Sequence, residues 1–131
     1  MPLLRSFLRA KLHRARVTQV DLHYEGSITV DADLLRAADI GEFERVLVAN
    51  VANGTRFETY AIKGAPGSGV VGVNGAAAHL ARVGDLLIVM AFALVPEGET
   101  VRPRVVVLGE DNRPKVPQDD ADADPGAAGE R

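Results

Sequence analysis

The sequence predicts a mainly β fold, a small β-barrel with short helices. Three observations carry that prediction. Over residues 8–13, apolar Leu8, Ala10 and Leu12 alternate with Arg9, Lys11 and His13, the period of a strand with one buried face. Asn53-Gly54 separates two strand-like runs and is the strongest short hairpin signal in the chain. The other apolar runs are short and joined by brief helical turns, which favours a barrel over a βαβ sheet.

In chain order, the first strand at 8–13 points Lys11 and His13 the same way. Residues 24–30 read as a second extended segment. Asp31 can cap a short helix carried by Leu34, Leu35 and Ala38. Residues 45–50 and 56–62 are strands on either side of the Asn53-Gly54 turn. A loop punctuated by glycine and proline spans 63–69, then 70–73 is extended and Asn74-Gly75-Ala76-Ala77-Ala78-His79 opens a helical turn. Residues 86–95 and 101–108 close the domain as strands around a turn at 96–99, and no internal repeat is evident.

At 131 residues the chain supports one domain with a modest core, so part of its stability is expected from assembly into an oligomer. The absence of cysteine excludes a disulfide framework and a thiolate zinc site. The longest apolar run, at 86–95, is too short to span a bilayer. A cytoplasmic protein with no membrane partner is the expectation. The formal charge of −3 is uneven, because residues 109–131 carry seven acids against three bases and leave the body near +1. Residues 113–131, rich in Pro, Ala, Gly and Asp, are expected to be a disordered acidic tail after a single β-barrel domain at 1–112.

Arg5, Arg9, Lys11, Arg14 and Arg16 fall in the first sixteen residues with no acid among them. A secretory signal would need an uninterrupted apolar centre there, and none exists. A non-catalytic barrel that binds nucleic acid through this basic strand is the alternative function, disfavoured because no aromatic stacking residues interleave the charges. Gly67-Ser68-Gly69-Val70-Val71-Gly72 matches a dinucleotide fingerprint in letters only, since no long helix follows. His13, His23 and His79 are widely spaced without clustered carboxylates, so no metal is expected.

Two places carry chemistry. At Gly26-Ser27 the serine hydroxyl is near enough to its own peptide to attack the Gly26 carbonyl, turning amide into ester; elimination of the Gly26 carboxylate, then hydrolysis of the resulting enamine with loss of ammonia, leaves a ketone at a new N-terminus. Glycine before the serine removes the Cβ that would resist a strained backbone. The same dipeptide at Gly67-Ser68 reads as ordinary loop, and a plain turn is the competing reading of both. On the strand at 56–62, Arg56, Glu58 and Tyr60 share one face, which puts a guanidinium and a phenol before one ligand or into one polar ladder.

Four blocks occur together: Lys11-Leu12-His13-Arg14, Asp21-Leu22-His23-Tyr24-Glu25-Gly26-Ser27, Asn53-Gly54-x-Arg56-Phe57-x-Thr59-Tyr60, and Val73-Asn74-Gly75-Ala76-Ala77-Ala78-His79. In order and spacing they resemble the aspartate 1-decarboxylase family over about residues 4–112. The resemblance implies a double-psi β-barrel, made as a proenzyme that cuts itself between Gly26 and Ser27 into 1–26 and 27–131. Ser27 would become a covalent pyruvoyl group that forms a Schiff base with L-aspartate, with no pyridoxal phosphate and no metal. The product would be β-alanine, for pantothenate and coenzyme A. The resemblance also implies a homotetramer with sites between neighbouring subunits. By the same resemblance Arg56 holds the substrate carboxylate, Lys11 and His13 add charge and orientation, Tyr60 donates a proton, and Thr59 polarises the Gly26 carbonyl during self-cleavage. Asn74, Gly75, Ala76 and Ala77 would wall the substrate, and Tyr24 would shape the cleavage site. Thr59 and Tyr60 are consecutive on a strand, so a bulge, or a cleft wrapping the strand, is expected there.

Overall fold

The computed structural model describes residues 3–115. Eight strands form a small β-barrel: β1 (Leu4–Arg16), β2 (Gln19–Asp21), β3 (Ser27–Asp31), β4 (Arg45–Asn50), β5 (Arg56–Gly64), β6 (Val71–Asn74), β7 (Leu86–Pro96) and β8 (Arg104–Val107). Their hydrogen-bonded order is β2-β6-β3-β5-β4-β7-β1-β8. One helix, α1 (Ala32–Ala38), and two 3-10 turns, Gly75–Leu80 and Glu110–Asn112, complete the described chain.

Alternation sets the inner face. Leu12, Ile28, Val30, Val46, Val48, Val71, Val73, Leu87 and Val89 are fully buried in one core. Removing apolar area of this kind from water, at about 25 cal/mol per Å², is the main term holding the strands together. The intervening residues, among them Lys11, Ser27, Tyr60 and Met90, belong to the other face.

The first strand is longer than its alternating core predicts. It runs from Leu4 to Arg16 because two register shifts against β7, between Leu8 and Ala10 and between His13 and Ala15, insert Arg9 and Arg14 as bulges. Arg14 takes a positive φ of 72°. Such bulges bend a strand, which lets one segment follow the curve of the barrel. Arg9, at the first bulge, donates to the Asp39 carbonyl at 2.6 Å and to Glu44 at 2.5 Å, tying β1 to the end of α1.

Asp31 caps α1 as expected, accepting from the Asp33 N–H at 2.7 Å. It also accepts from the N–H groups of Gly67 at 3.0 Å and Gly69 at 2.8 Å, so one carboxylate ties the helix to the following loop. Burial acts to raise its pKa, but these N–H bonds, with those of Asp33 and Leu34, outweigh it and hold the group below the ordinary aspartate value.

Three features depart from the sequence-based expectation. The extended segment foreseen at 24–30 begins only at Ser27; Asp21 accepts the His23 N–H at 3.0 Å and folds the preceding residues into a turn. Gln19–Asp21 is an unforeseen short strand, paired in parallel with β6. The closing strands β7 and β8 are not neighbours, since β1 lies between them and β8 runs parallel to it. The chain stays packed beyond residue 112: Pro114 bridges to Leu108 and the Lys115 N–H reaches Val107 at 2.9 Å. The acidic tail expected at 113–131 otherwise lies outside the described residues.

Candidate active site

Ser27 is the first residue of β3 and is 1% exposed. It stands opposite Asn74, the last residue of β6, in an antiparallel ladder. Asn74 is itself buried, and its Nδ2 donates to Ser27 Oγ and to Thr29 Oγ1, both at 3.0 Å. The Ser27 hydroxyl donates in turn to the Glu25 carbonyl at 3.2 Å. The one hydroxyl at the start of β3 is therefore fixed from both sides. Ser27 and Thr29 share a face because they are two apart on a strand; that Asn74 spans both was not legible locally.

The glycine requirement lies elsewhere than expected. Gly26 has no positive φ, and a Cβ built on it would meet nothing within 4 Å. Gly75 is the constrained residue: its φ is +75°, and a Cβ there would lie 2.6 Å from Gly26 Cα, 2.9 Å from Gly26 N and 3.2 Å from the Tyr24 carbonyl. Only glycine lets the backbone opening the 3-10 turn lie against the Gly26-Ser27 segment. Ala76 after it is exposed, and Ala77 packs toward the core.

Tyr60 and Thr59 take opposite faces of β5. The β4·β5 ladder pairs Arg45 with Tyr60 and Val46 with Thr59, with no register shift along it, so the expected bulge is absent. Phe57 and Ala61 face the core and set Thr59 on their side, whereas Arg56, Glu58 and Tyr60 face away. The parallel β3·β5 ladder starts at Ile28 opposite Ala61. Carried back one residue, this register sets Ser27 level with Tyr60. The Tyr60 ring tilts against Phe43 with centroids 6.4 Å apart.

Arg56 opens β5, is exposed, and donates from Nη1 to the Gly54 carbonyl at 3.2 Å. Lys11 and His13 are not brought to Ser27 within this chain. His13 shares a cross-strand row with Ile88, Ala49 and Arg56, and Lys11 with Met90, Leu47 and Glu58. Three strand spacings, about 14 Å along the sheet, separate His13 from Arg56. Several charges of the basic first strand have partners within the chain: Arg5 pairs with Glu97 at 3.7 Å, Arg9 with Glu44, and Arg16 donates to the Gly84 carbonyl at 2.7 Å. Among the described residues there is no group of three potential metal ligands, and no helix is long and apolar enough to cross a membrane.

With this geometry in place, comparison with known proteins is decisive. The family model for aspartate decarboxylase matches residues 3–115. The chain belongs to the aspartate decarboxylase family. It is 57% identical over 111 residues to the aspartate 1-decarboxylase of Myxococcus xanthus (strain DK1622), covering 83% of this chain and 85% of that protein. It is 58% identical over 111 residues to the aspartate 1-decarboxylase of Methylibium petroleiphilum (strain ATCC BAA-1232 / LMG 22953 / PM1), covering 83% and 92%. The decarboxylase match ends at Lys115, the last residue the structure describes, so it takes in all four motif blocks and every site residue named above.

Proposed function

We propose that this chain is a self-processing decarboxylase that converts L-aspartate to β-alanine and CO₂, supplying pantothenate and coenzyme A synthesis in the cytoplasm. The observation that carries the proposal is the buried Ser27 hydroxyl, gripped by Asn74 and flanked by the Gly26 segment that rests on Gly75. Family membership supports the substrate.

In the precursor, the Asn74 amide fixes Ser27 Oγ beside the peptide it attacks. Thr59 donates its hydroxyl to the Gly26 carbonyl and stabilises the negative charge that develops there. Cleavage separates residues 1–26 from 27–131, the division proposed for the mature protein. The surroundings of residue 27 fit a pyruvoyl group: they offer an amide donor and are buried. That group supplies an electron sink for the pair released when CO₂ departs.

The remaining work belongs to side chains. Arg56 grips the substrate side-chain carboxylate through its planar fork, with charge-assisted bonds of about 1.5–3 kcal/mol each. Tyr60, level with Ser27, donates a proton to the substrate α-carbon after CO₂ leaves. Asn74, Gly75, Ala76 and Ala77 form a wall of small residues that lets backbone N–H groups approach. Lys11 and His13, remote from Ser27 within one chain, serve the site of an adjoining subunit in a homotetramer, where they add positive charge and orientation. Neither a metal nor pyridoxal phosphate has a part.

Intact-mass analysis tests the proposal. Aged protein should comprise fragments of 26 and 105 residues, the larger lighter than a serine-started peptide by one ammonia. Ser27→Ala should remain a single chain that releases no CO₂ from aspartate. A wild-type chain that stays uncut yet decarboxylates aspartate would overturn it.

A further inference from the structure

Four polar side chains converge below the start of β5, and the reaction scheme uses none of them. The carbonyl of Leu80, ending the 3-10 turn that begins at Gly75, accepts from Asn50 Nδ2 at 3.0 Å and Asn53 Nδ2 at 3.1 Å. A carbonyl has two lone pairs, so these two amide donors occupy both. Asn50 is 1% exposed and fully committed: its Nδ2 also donates to Asp85 at 2.9 Å, and its Oδ1 accepts the Ala52 N–H at 2.9 Å. Asp85 also accepts the Arg82 N–H at 2.9 Å. The Asn50 bond is the foremost cause holding its carboxyl below the ordinary value.

Asn53 joins this anchor to the hairpin turn. Its Oδ1 accepts from Thr55 N at 2.9 Å and Thr55 Oγ1 at 2.7 Å, which would close the turn by itself. The bond from Nδ2 to Leu80 is not needed for that closure. It ties the turn to the segment whose other end is the wall at residues 74–77. The next residue, Gly54, is held at φ +75° with its N–H on the Asn50 carbonyl at 2.8 Å, and its own carbonyl accepts from the Arg56 guanidinium.

We infer that Asn53 is a positioning residue for Arg56: through Leu80 it sets the distance between the guanidinium that takes the substrate carboxylate and the small-residue wall. This rests on the assignment of Arg56 proposed above. The role is specific to the amide. Aspartate at 53 keeps the acceptor for Thr55 but has no donor for Leu80 and turns a carboxylate toward its carbonyl.

The test uses full-length, self-cleaved protein as wild type, Asn53→Asp, Asn53→Ala, Arg56→Ala and the Asn53→Asp/Arg56→Ala double variant. Aspartate decarboxylation is measured at steady state, with succinate as a competing dicarboxylate. For Asn53→Asp, the KM for aspartate and the inhibition constant for succinate should rise together by about five- to twentyfold. Its kcat should stay within about threefold and its extent of self-cleavage should match wild type. In the Arg56→Ala background the same change should add nothing, which a merely structural loss would not reproduce. Wild-type KM and succinate inhibition in both Asn53 variants, beside a weakened Arg56→Ala, would overturn the positioning role alone. Wild-type values in Arg56→Ala would overturn the assignment of Arg56 and the inference with it.

Discussion

Gly75→Ala is the substitution that most directly probes the cleavage geometry. The new Cβ would lie 2.6 Å from Gly26 Cα, where carbon atoms normally approach no closer than about 3.5 Å. The Gly26-Ser27 segment must therefore recede by roughly 1 Å. Holding alanine at φ +75° adds about 1–2 kcal/mol of backbone strain. A shift of about 1 Å between reacting groups is enough to cost on the order of 100-fold in rate. Gly26→Ala is the control, because its Cβ meets nothing and its φ is not left-handed; cleavage should slow by no more than about threefold. Freshly purified protein would be followed by denaturing gel as the 131-residue chain becomes fragments of 26 and 105 residues, with thermal melting to confirm folding. Gly75→Ala cleaving near the wild-type rate while folded, or Gly26→Ala proving the more severe, would refute the reasoning.

Asn74→Ala removes the donor to Ser27 and Thr29, and self-cleavage should slow by about tenfold or more in a folded barrel, as read by the same gel. Asp31→Ala loses a helix cap and two further N–H bonds from Gly67 and Gly69; denaturant titration should show a loss of about 3 kcal/mol. Because the native pKa of Asp31 is lowered, its carboxylate stabilises fully above about pH 4, the unfolded value, and progressively less as pH falls through the native one. Stability in Asp31→Asn should accordingly fall less steeply below about pH 4 than in wild type. If sites are shared between subunits, the weakened Lys11→Ala and Arg56→Ala proteins, co-expressed, should be more active in mixed oligomers than either alone; no gain despite mixed assembly would place both residues in one subunit's site.

What the sequence made legible was chemistry acting over a few residues. Asp31 caps the helix that follows it through the Asp33 N–H, Asn53-Gly54 closes the hairpin, and the bounds of β4 follow from a β-rich run ended by that turn. What it hid depends on remote partners. The bulges at Arg9 and Arg14 exist because β1 must follow β7 around the barrel, and the parallel seat of β8 on β1 has no local signature. The same division runs through the site. Ser27, Arg56 and Tyr60 drew notice by residue type, with a plain turn and a polar ladder as competing readings, and only the family resemblance favoured their roles. The demand for glycine was expected at Gly26 and found at Gly75, since only the tertiary contact shows which backbone is crowded. Thr59 and Tyr60 lie on opposite faces of a β5 with no bulge, which leaves the cleft wrapping the strand as the expectation that stands.

A cut after Gly26 would leave β1 and β2 on the short piece, yet β1 is threaded between β7 and β8, and β2 is zipped to β6. The nicked molecule becomes two polypeptides sharing a single interior, with neither able to depart intact. Heating it would release both halves, and their reunion would depend on encounter and hence on protein concentration. Maturation would thus act as a ratchet: a chain that folds by itself becomes an assembly that denaturation does not readily give back.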